Sequence, residues 1–158
     1  MHTHLMPYAG YNQFYLTSDS KNTGSDDPEF WSKEAYRERL AVAPLTLAVG
    51  TDTYGKVPVD IEVLDSPSHL PFDDWDHVVE ASISIASGVL EVSGCPDPET
   101  LARIEVVPGV YVARVFCRGL SEFPDDGGSY NGDSYLIQLW RGDHTNRTVL
   151  KRFERVTA

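Results

Sequence analysis

The chain has 158 residues, 41% hydrophobic and 23% charged, a balance typical of a globular domain that argues against disorder. Its 24 acidic and 13 basic side chains give a net charge of −11 at pH 7. A field of this sign disfavours direct binding to nucleic acid, which draws on Lys and Arg, and favours a basic protein partner. The same charge also serves simply to keep a protein in solution.

Targeting signals and cysteines bear on the compartment. No apolar run approaches the roughly 18 residues that cross a bilayer, and the N-terminal segment lacks the basic and apolar regions of a secretory signal. Cys95 and Cys117 belong to no CxxC-type ligand pair, so two reduced thiols are favoured over one disulfide. We therefore expect a bacterial cytoplasmic protein with no membrane span, folded as a single domain over residues 1–158.

The first predicted elements are a strand at residues 11–16 and one short α-helix. The segment 17–25 between them is polar and rich in turn formers, so we expect a mobile connector. Asp27 suits the N-cap of the helix and Pro28 its first position, while Trp31 and Ala35 face the sheet. A second strand is expected at residues 45–49.

Strand periodicity dominates the rest of the chain. Apolar residues recur at every second position, the pattern of strands with one buried face. The segments with this pattern are 57–63, 78–85, 90–92, 104–106, 110–117 and 135–140, with a shorter run at 148–153. Short strands separated by turn residues predict a mainly β fold, an antiparallel β-sandwich of about eight to nine strands with one short α-helix.

The stretch GTDTYGKV, residues 50–57, resembles the phosphate-binding loop G-x-x-x-x-G-K-[ST]. That loop needs a helix after it and a hydroxyl after the lysine to hold magnesium. Here Val57 stands in the hydroxyl position, Pro58 follows, and strand alternation continues to Val63. The sequence therefore predicts a hairpin between strands rather than a phosphate site.

A second chemical candidate is FDDWDHVVE, residues 72–80, where four carboxylates surround His77. If the strand begins near Asp76, His77 points toward the core with Val79. Asp76 and Glu80 then lie roughly 13 Å apart on the other face, too far to share one metal ion. We predict a buried or strand-edge His77 and no metal site, with a hydrolase that pairs His77 with an acidic neighbour kept as a further hypothesis.

The third candidate, DDGGSYNGD at residues 125–133, lacks the alternating ligands and distal glutamate of a calcium loop. It predicts a glycine-rich loop between strands. No G-x-S-x-G or H-E-x-x-H motif occurs. The sequence thus predicts no catalytic residues and no cofactor, and it predicts that the protein is not an enzyme.

Acidic side chains are concentrated in the first two-thirds of the chain. Residues 1–100 hold 5 basic and 17 acidic side chains, net −12, whereas residues 101–158 hold 8 and 7, net +1. If the alternating apolar residues point inward, five carboxylates point outward, those of Asp60, Glu62, Glu80, Glu91 and Glu105. Such an array either imitates a nucleic-acid backbone or is simply the water-exposed polar side of the strands.

Several short segments resemble the competence protein J family, whose described member inhibits a DNA-entry nuclease. They follow the family in order along most of the chain. They are Tyr11-Asn12-Gln13-Phe14, the helix with Trp31 and Ala35, the strand after Ala43 with the 50–56 turn, Pro108-Gly109-Val110-Tyr111, and Asp133-Ser134-Tyr135-Leu136-Ile137. The resemblance implies a non-enzymatic, β-rich protein that binds another protein.

The leading functional hypothesis is an acidic protein-interaction module, such as an inhibitor or immunity-type partner of a basic enzyme like a nuclease. The five carboxylates would meet the partner, with Trp75 and Trp140 as exposed aromatic anchors. The alternative is a β-sandwich that binds a small ligand in an aromatic pocket. That pocket would be lined by Trp31, Trp75, His77 and Tyr111.

Overall fold

The computed structural model describes residues 1–96 and 100–154, and thirteen strands and one α-helix lie within them. In chain order the elements are β1 (His2–Leu5), β2 (Tyr8–Ala9), β3 (Gln13–Thr17), α1 (Lys33–Glu38), β4 (Leu40–Ala43), β5 (Thr46–Gly50), β6 (Gly55–Lys56), β7 (Val59–Val63), β8 (His77–Ile85), β9 (Val89–Ser93), β10 (Thr100–Glu105), β11 (Gly109–Arg118), β12 (Ser134–Arg141) and β13 (Thr148–Lys151). A tight turn at Gly10–Asn12 joins β2 to β3.

Two sheets pack face to face as a β-sandwich, which confirms the predicted fold class. One sheet has the strand order β1-β7-β12-β11-β8-β13, and the other has the order β10-β9-β3-β5-β4. Their facing side chains form one hydrophobic core that extends from Ala9 to Tyr135 and Leu139. The short strands β2 and β6 pair separately beside them. The pairing departs from a purely antiparallel sandwich where β7 and β12 run parallel.

The helix is shorter than predicted because residues 28–31 form turns in front of it. Asp27 caps a turn instead, its carboxylate accepting a hydrogen bond of 2.9 Å from the Glu29 amide. Ser32 is the true N-cap, and its hydroxyl accepts from the Ala35 amide at 3.1 Å. Arg39 ends the helix in the left-handed region, with φ 66°, so that Leu40 can enter β4.

Each sheet also carries a layer on its outer face. The helix end of the five-stranded sheet is covered by Phe30, Ala35 and the half-buried Trp31. On the six-stranded sheet lies the segment 64–76, which we call the strap; its Leu70, Phe72 and Trp75 belong to a second hydrophobic cluster. The expected strands therefore bury apolar surface on both faces.

The single-domain prediction and the mobility predicted for residues 17–25 stay predictions. In the structure Thr17 is buried, and the Ser18 hydroxyl donates to the Ser84 carbonyl at 2.6 Å. Residues 97–99 and 155–158 of the expected domain lie outside the described part. Among the residues that are described, no helix has both the length and the apolar character needed to cross a membrane.

Candidate functional site

The five predicted carboxylates lie on different sheets. Asp60 and Glu62 on β7 and Glu80 on β8 belong to the six-stranded sheet, whereas Glu91 on β9 and Glu105 on β10 belong to the five-stranded sheet. The structure therefore brings together three of the five at most. The strand order places β12 and β11 between β7 and β8, so Glu80 is not adjacent to Asp60 and Glu62.

Several of these carboxylates already have partners within the chain. Glu80 accepts a hydrogen bond of 2.8 Å from Arg114 Nε, and its side chain is only 14% exposed. Glu91 pairs with Arg103 at 3.0 Å and is 11% exposed. The expectation that all five point freely into solvent is wrong for these two, because a neighbouring strand supplies an arginine to each.

The remaining three are more accessible. Asp60 Oδ1 lies 2.8 Å from His2 Nε2 and 3.0 Å from His4 Nδ1 on the edge strand β1. Glu62 accepts from the Gln138 amide at 2.8 Å, and Glu105 is exposed. Their part in binding a partner stays a prediction.

Trp75 and Trp140 are not exposed, which corrects the expectation that they stand free on the surface. They retain 8% and 5% of their accessible surface. The strap covers this face, so that Trp75 packs on Phe116 with ring centroids 5.3 Å apart. Arg114 lies 4.9 Å from the Trp140 ring and 5.7 Å from the ring of Phe72 in the strap. These aromatic rings hold the strap to the sheet.

His77 is completely buried at the start of β8, on the core side as the alternation indicates. The Phe153 amide donates to Nδ1 at 3.1 Å, which places the ring proton on Nε2, 2.9 Å from the Glu38 carbonyl oxygen. Burial lowers the pKa of His77 to about 4, so the ring is neutral at physiological pH. Both nitrogens bind backbone groups, whereas the hydrolase hypothesis required an acidic side chain at one of them.

The four residues of the alternative pocket do not line one cavity. Tyr111 is 2% exposed in the core between the sheets, and its hydroxyl donates to the Val107 carbonyl at 2.6 Å. His77 is buried, and Trp75, in the strap, packs on the opposite face of the six-stranded sheet. Only Trp31 faces a cleft.

That cleft, of about 460 Å³, opens at one end of the sandwich, and its lining comes from segments far apart in sequence. The lining residues are Tyr11, Asn12, Trp31, Tyr36, Arg39, Gly50, Thr51, Asp52, Tyr54, Pro124 and Asp126. At this end β3 begins, β5 ends, and the loop between β11 and β12 emerges. The cleft combines aromatic rings with one buried ion pair.

The sequence predicts a hairpin at residues 50–56, but this segment instead crosses from one sheet to the other. β5 pairs with β3 and β4, whereas the next long strand, β7, pairs with β1 and β12. On the way the chain forms β6, which pairs with β2. The crossing places Tyr54 at the mouth of the cleft.

A buried carboxylate fixes this crossing. Asp133 is 0% exposed and accepts hydrogen bonds from the amides of Asp52 and Thr53, at 3.0 and 3.1 Å. The hydroxyls of Thr53 and Tyr135 also donate to it, both at 2.5 Å. Four donors on one carboxylate satisfy the turn without water.

Arg39 and Asp52 form the floor of the cleft. Arg39 Nη2 lies 2.9 Å from Asp52 Oδ1, with side chains 8% and 0% exposed. The other oxygen of Asp52 accepts from the Ser121 amide at 2.8 Å. The pair brings opposite charges together, so the floor has little net charge.

Five aromatic residues form what we call the aromatic cluster: Tyr8, Tyr11, Trp31, Tyr36 and Tyr54. Tyr54 contacts Tyr11 and Tyr8 edge-on, with ring centroids 5.8 and 6.3 Å apart, and Trp31 lies 5.0 Å from Tyr36. Tyr8, Tyr11 and Tyr36 are 47%, 63% and 67% exposed. Large rings this exposed and this close together mark a contact surface.

Backbone geometry turns Tyr11 outward. Tyr11 and Asn12 both adopt the left-handed region, with φ of 54° and 60°. Asn tolerates this conformation, and its side chain donates to the Asp52 carbonyl at 3.1 Å, whereas a tyrosine adopts it at a cost. Strand periodicity does not reveal this cluster; the available signal is the placement of tyrosines beside turn residues, as in AGYN and DTYG.

The loop 119–131 borders the cleft with negative charge. It contains Glu122, Asp125 and Asp126 and no Lys or Arg. Asp126 lines the cleft itself, and all three residues are exposed. Within residues 1–96 and 100–154, no three His, Cys, Asp or Glu side chains are placed to hold a metal ion.

Fold and site together define a two-sheet β-sandwich with an exposed aromatic cleft beside an acidic loop. Two solved structures share this fold. One is ComJ, the inhibitor of the DNA-degrading activity of NucA, from Bacillus subtilis, with a TM-score of 0.61 and 14% identity over 90% of this chain and 96% of that one. The other is the product of crocagin biosynthetic gene J, with a TM-score of 0.59 and 16% identity over 90% and 98%. No family model and no curated protein sequence matches the chain.

Proposed function

We propose that this chain is a non-enzymatic protein-interaction module that binds and inhibits a basic enzyme, such as a nuclease. The observation that carries the proposal is the aromatic cluster, of which four rings line the cleft and three are exposed, beside the acidic loop that contributes Asp126. Aromatic residues are enriched at the centres of protein interfaces, where rigid rings bury much area at little entropic cost.

The fold supports a role in binding another protein. ComJ, which shares the architecture, is an inhibitor of a nuclease. An inhibitor needs a complementary surface and no cofactor, and this chain offers aromatic rings at its cleft together with a net charge of −11. The proposal includes a bacterial, cytoplasmic setting, in which a nuclease would endanger the cell's own DNA.

The carboxylates predicted from the sequence have a second role in this proposal. Asp60, Glu62 and Glu105 attract a basic partner over distance, since complementary fields raise association rates. Short-range affinity comes from the aromatic cluster. Binding is therefore expected to weaken with salt but not to vanish.

The test is capture of the partner from the source cells on immobilised protein at about 50 and 500 mM salt, where screening is weak and strong. We expect a basic protein at low salt, and nuclease activity of the eluate that falls when free protein is added back. The double variant Tyr11→Ala/Tyr36→Ala should lose the partner. Val107→Ala, 60% exposed at the other end of the sandwich, should keep it.

Retention of no basic protein at low salt would contradict the proposal. So would an eluate whose nuclease activity is unchanged by the added protein. Equal capture of the partner by the double variant would show that the cleft is not part of the interface.

A further inference from the structure

We infer that the cleft receives an arginine side chain of the partner, stacked on the rings of the aromatic cluster and paired with a carboxylate of the 119–131 loop. This inference rests on the proposed function and names the chemistry that the site recognises. Aromatic faces attract cations, and the attraction grows when the site is partly shielded from water.

The charges around the cleft select a cation over an anion. Arg39 is the one basic residue in the lining of the cleft as described, and its charge is compensated by Asp52 at 2.9 Å. Its guanidinium also lies 5.8 Å from the Phe153 ring. Asp126 adds an exposed negative charge to the same lining.

Arginine fits better than lysine because its planar guanidinium stacks on a ring and keeps its edge free for hydrogen bonds. This protein already uses that arrangement. Arg118 lies 4.4 Å from the Trp75 ring, and Arg114 lies 4.9 Å from Trp140 while its Nε donates to Glu80. The cleft offers the same two components, exposed rings and the carboxylate of Asp126, to a guanidinium from the partner.

The inference also gives a route to inhibition. Enzymes that act on nucleic acid use arginine to bind phosphate in a bidentate manner. An arginine held between Tyr11, Trp31 and Asp126 is unavailable to a phosphate. The protein would then compete with the nucleic acid for one side chain instead of closing a whole active site.

The probe is the capped tripeptide acetyl-Gly-Arg-Gly-amide, titrated into the intact protein at millimolar concentration and followed by NMR. Its control is the same peptide with citrulline, which has nearly the shape of arginine but no charge. The indole N–H of Trp31, identified by its loss in Trp31→Phe, reports on the cleft, while the buried Trp75 and Trp140 serve as internal references.

We expect the Trp31 signal to shift and saturate with the arginine peptide, with affinity about tenfold lower for citrulline. Asp126→Asn should weaken binding several-fold, and Val107→Ala should leave it unchanged. Equal binding of the two peptides, or no shift at Trp31, would overturn the inference.

The outcome separates this inference from the proposed function. An arginine peptide that binds while no basic enzyme is captured from cells supports the cation site and contradicts the inhibitor role. An enzyme that is captured and inhibited equally well by wild type and by Asp126→Asn/Tyr11→Ala supports the inhibitor role and overturns the arginine site.

Discussion

The protein has two aromatic regions that differ in how many contacts their rings make within the chain. Between the strap and the sheet, Trp75 and Phe72 of the strap pack on Phe116, and arginines of the same chain stack on the rings. At the cleft, Tyr11 and Tyr36 project into solvent, and the nearby Arg39 is engaged by Asp52. The two regions have similar residue types, but the rings of the first are packed within the chain, whereas those of the second are exposed to solvent.

This contrast separates stability from binding. Rings that are buried against a sheet contribute to the free energy of unfolding, because their removal leaves a cavity. Rings that are exposed contribute little to folding and gain their contacts only when a partner arrives. Substitutions in the two regions are therefore expected to have opposite profiles.

The largest effect on the free energy of unfolding is expected at Asp133, the buried carboxylate that holds the turn beside the cleft. Asp133→Asn replaces an acceptor of four hydrogen bonds by an amide that cannot accept them all, and should lower the free energy of unfolding by about 4 kcal/mol. It should also displace Tyr54 and weaken binding of the arginine peptide. Urea denaturation and the NMR titration measure the two effects.

The control is Asp125→Asn in the exposed part of the neighbouring loop. It should change stability by no more than about 0.5 kcal/mol. A loss at Asp133 as small as this would show that the buried carboxylate does not support the cleft.

Trp75→Ala should give the converse profile for the strap. It removes a ring that is 8% exposed and stacked between Phe116 and Arg118, at a cost of about 3 kcal/mol in stability. Because the strap lies on the outer face of the six-stranded sheet, the cleft should bind the arginine peptide as before. A variant as stable as wild type, or one that no longer binds the arginine peptide, would contradict the assignment of the strap to stability and of the cleft to binding.

His77 connects the two regions, since it follows the strap and holds the helix that carries Tyr36 through the Glu38 carbonyl. Its pKa is lowered from 6.5 to about 4 by burial, so between these values the unfolded chain binds the proton and the folded chain does not. The contribution of His77 to the free energy of unfolding is therefore fully present above pH 6.5, and as the pH falls toward 4 it decreases by roughly 2 to 3 kcal/mol.

His77→Gln retains one donor and one acceptor but does not titrate, so its stability should fall less between pH 7 and pH 4. Urea denaturation at a series of pH values compares the two proteins. Parallel curves for wild type and variant would refute the assignment of this pH dependence to His77.

The smallest effect on stability, and the clearest separation, is expected at Tyr11. Tyr11→Gly relieves a left-handed backbone conformation at φ 54° and should raise stability by about 0.5 kcal/mol. The same change removes a ring that is 63% exposed, so binding of the arginine peptide should fall several-fold. Tyr11→Phe, which keeps the ring, should still bind; retained binding in Tyr11→Gly would show that this ring is not part of the site.

Much of the sandwich was predictable because alternation marks the core face of each strand. The error lay in assigning every other position to solvent. On the second face of the long strands stand Val78, Phe116 and Leu136, which are apolar, and such two-sided strands indicate a covering layer. The strap follows from this pattern, together with the burial of Trp75 and Trp140.

The cleft was not predictable from sequence periodicity, since its lining comes from four separate segments, around residues 11–12, 31–39, 50–54 and 124–126. Tyr11 points outward only because two successive residues adopt the left-handed region, and Tyr54 does so only because Asp133, about 80 positions away, holds its turn. Neither arrangement has a local sequence signature beyond tyrosines placed beside Gly and Asn.

The parallel pairing of β7 with β12 has a consequence for the growing chain on the ribosome. β3, β4 and β5 can assemble once about 50 residues have emerged, but one edge of β7 waits from residue 63 until β12 begins at residue 134, an interval of 134 − 63 = 71 residues. At about 5 to 20 residues per second the wait lasts roughly 4 to 14 s. During this interval Asp60 and Glu62, which alternate with the apolar residues of β7, disfavour pairing of its unpaired edge with another nascent chain.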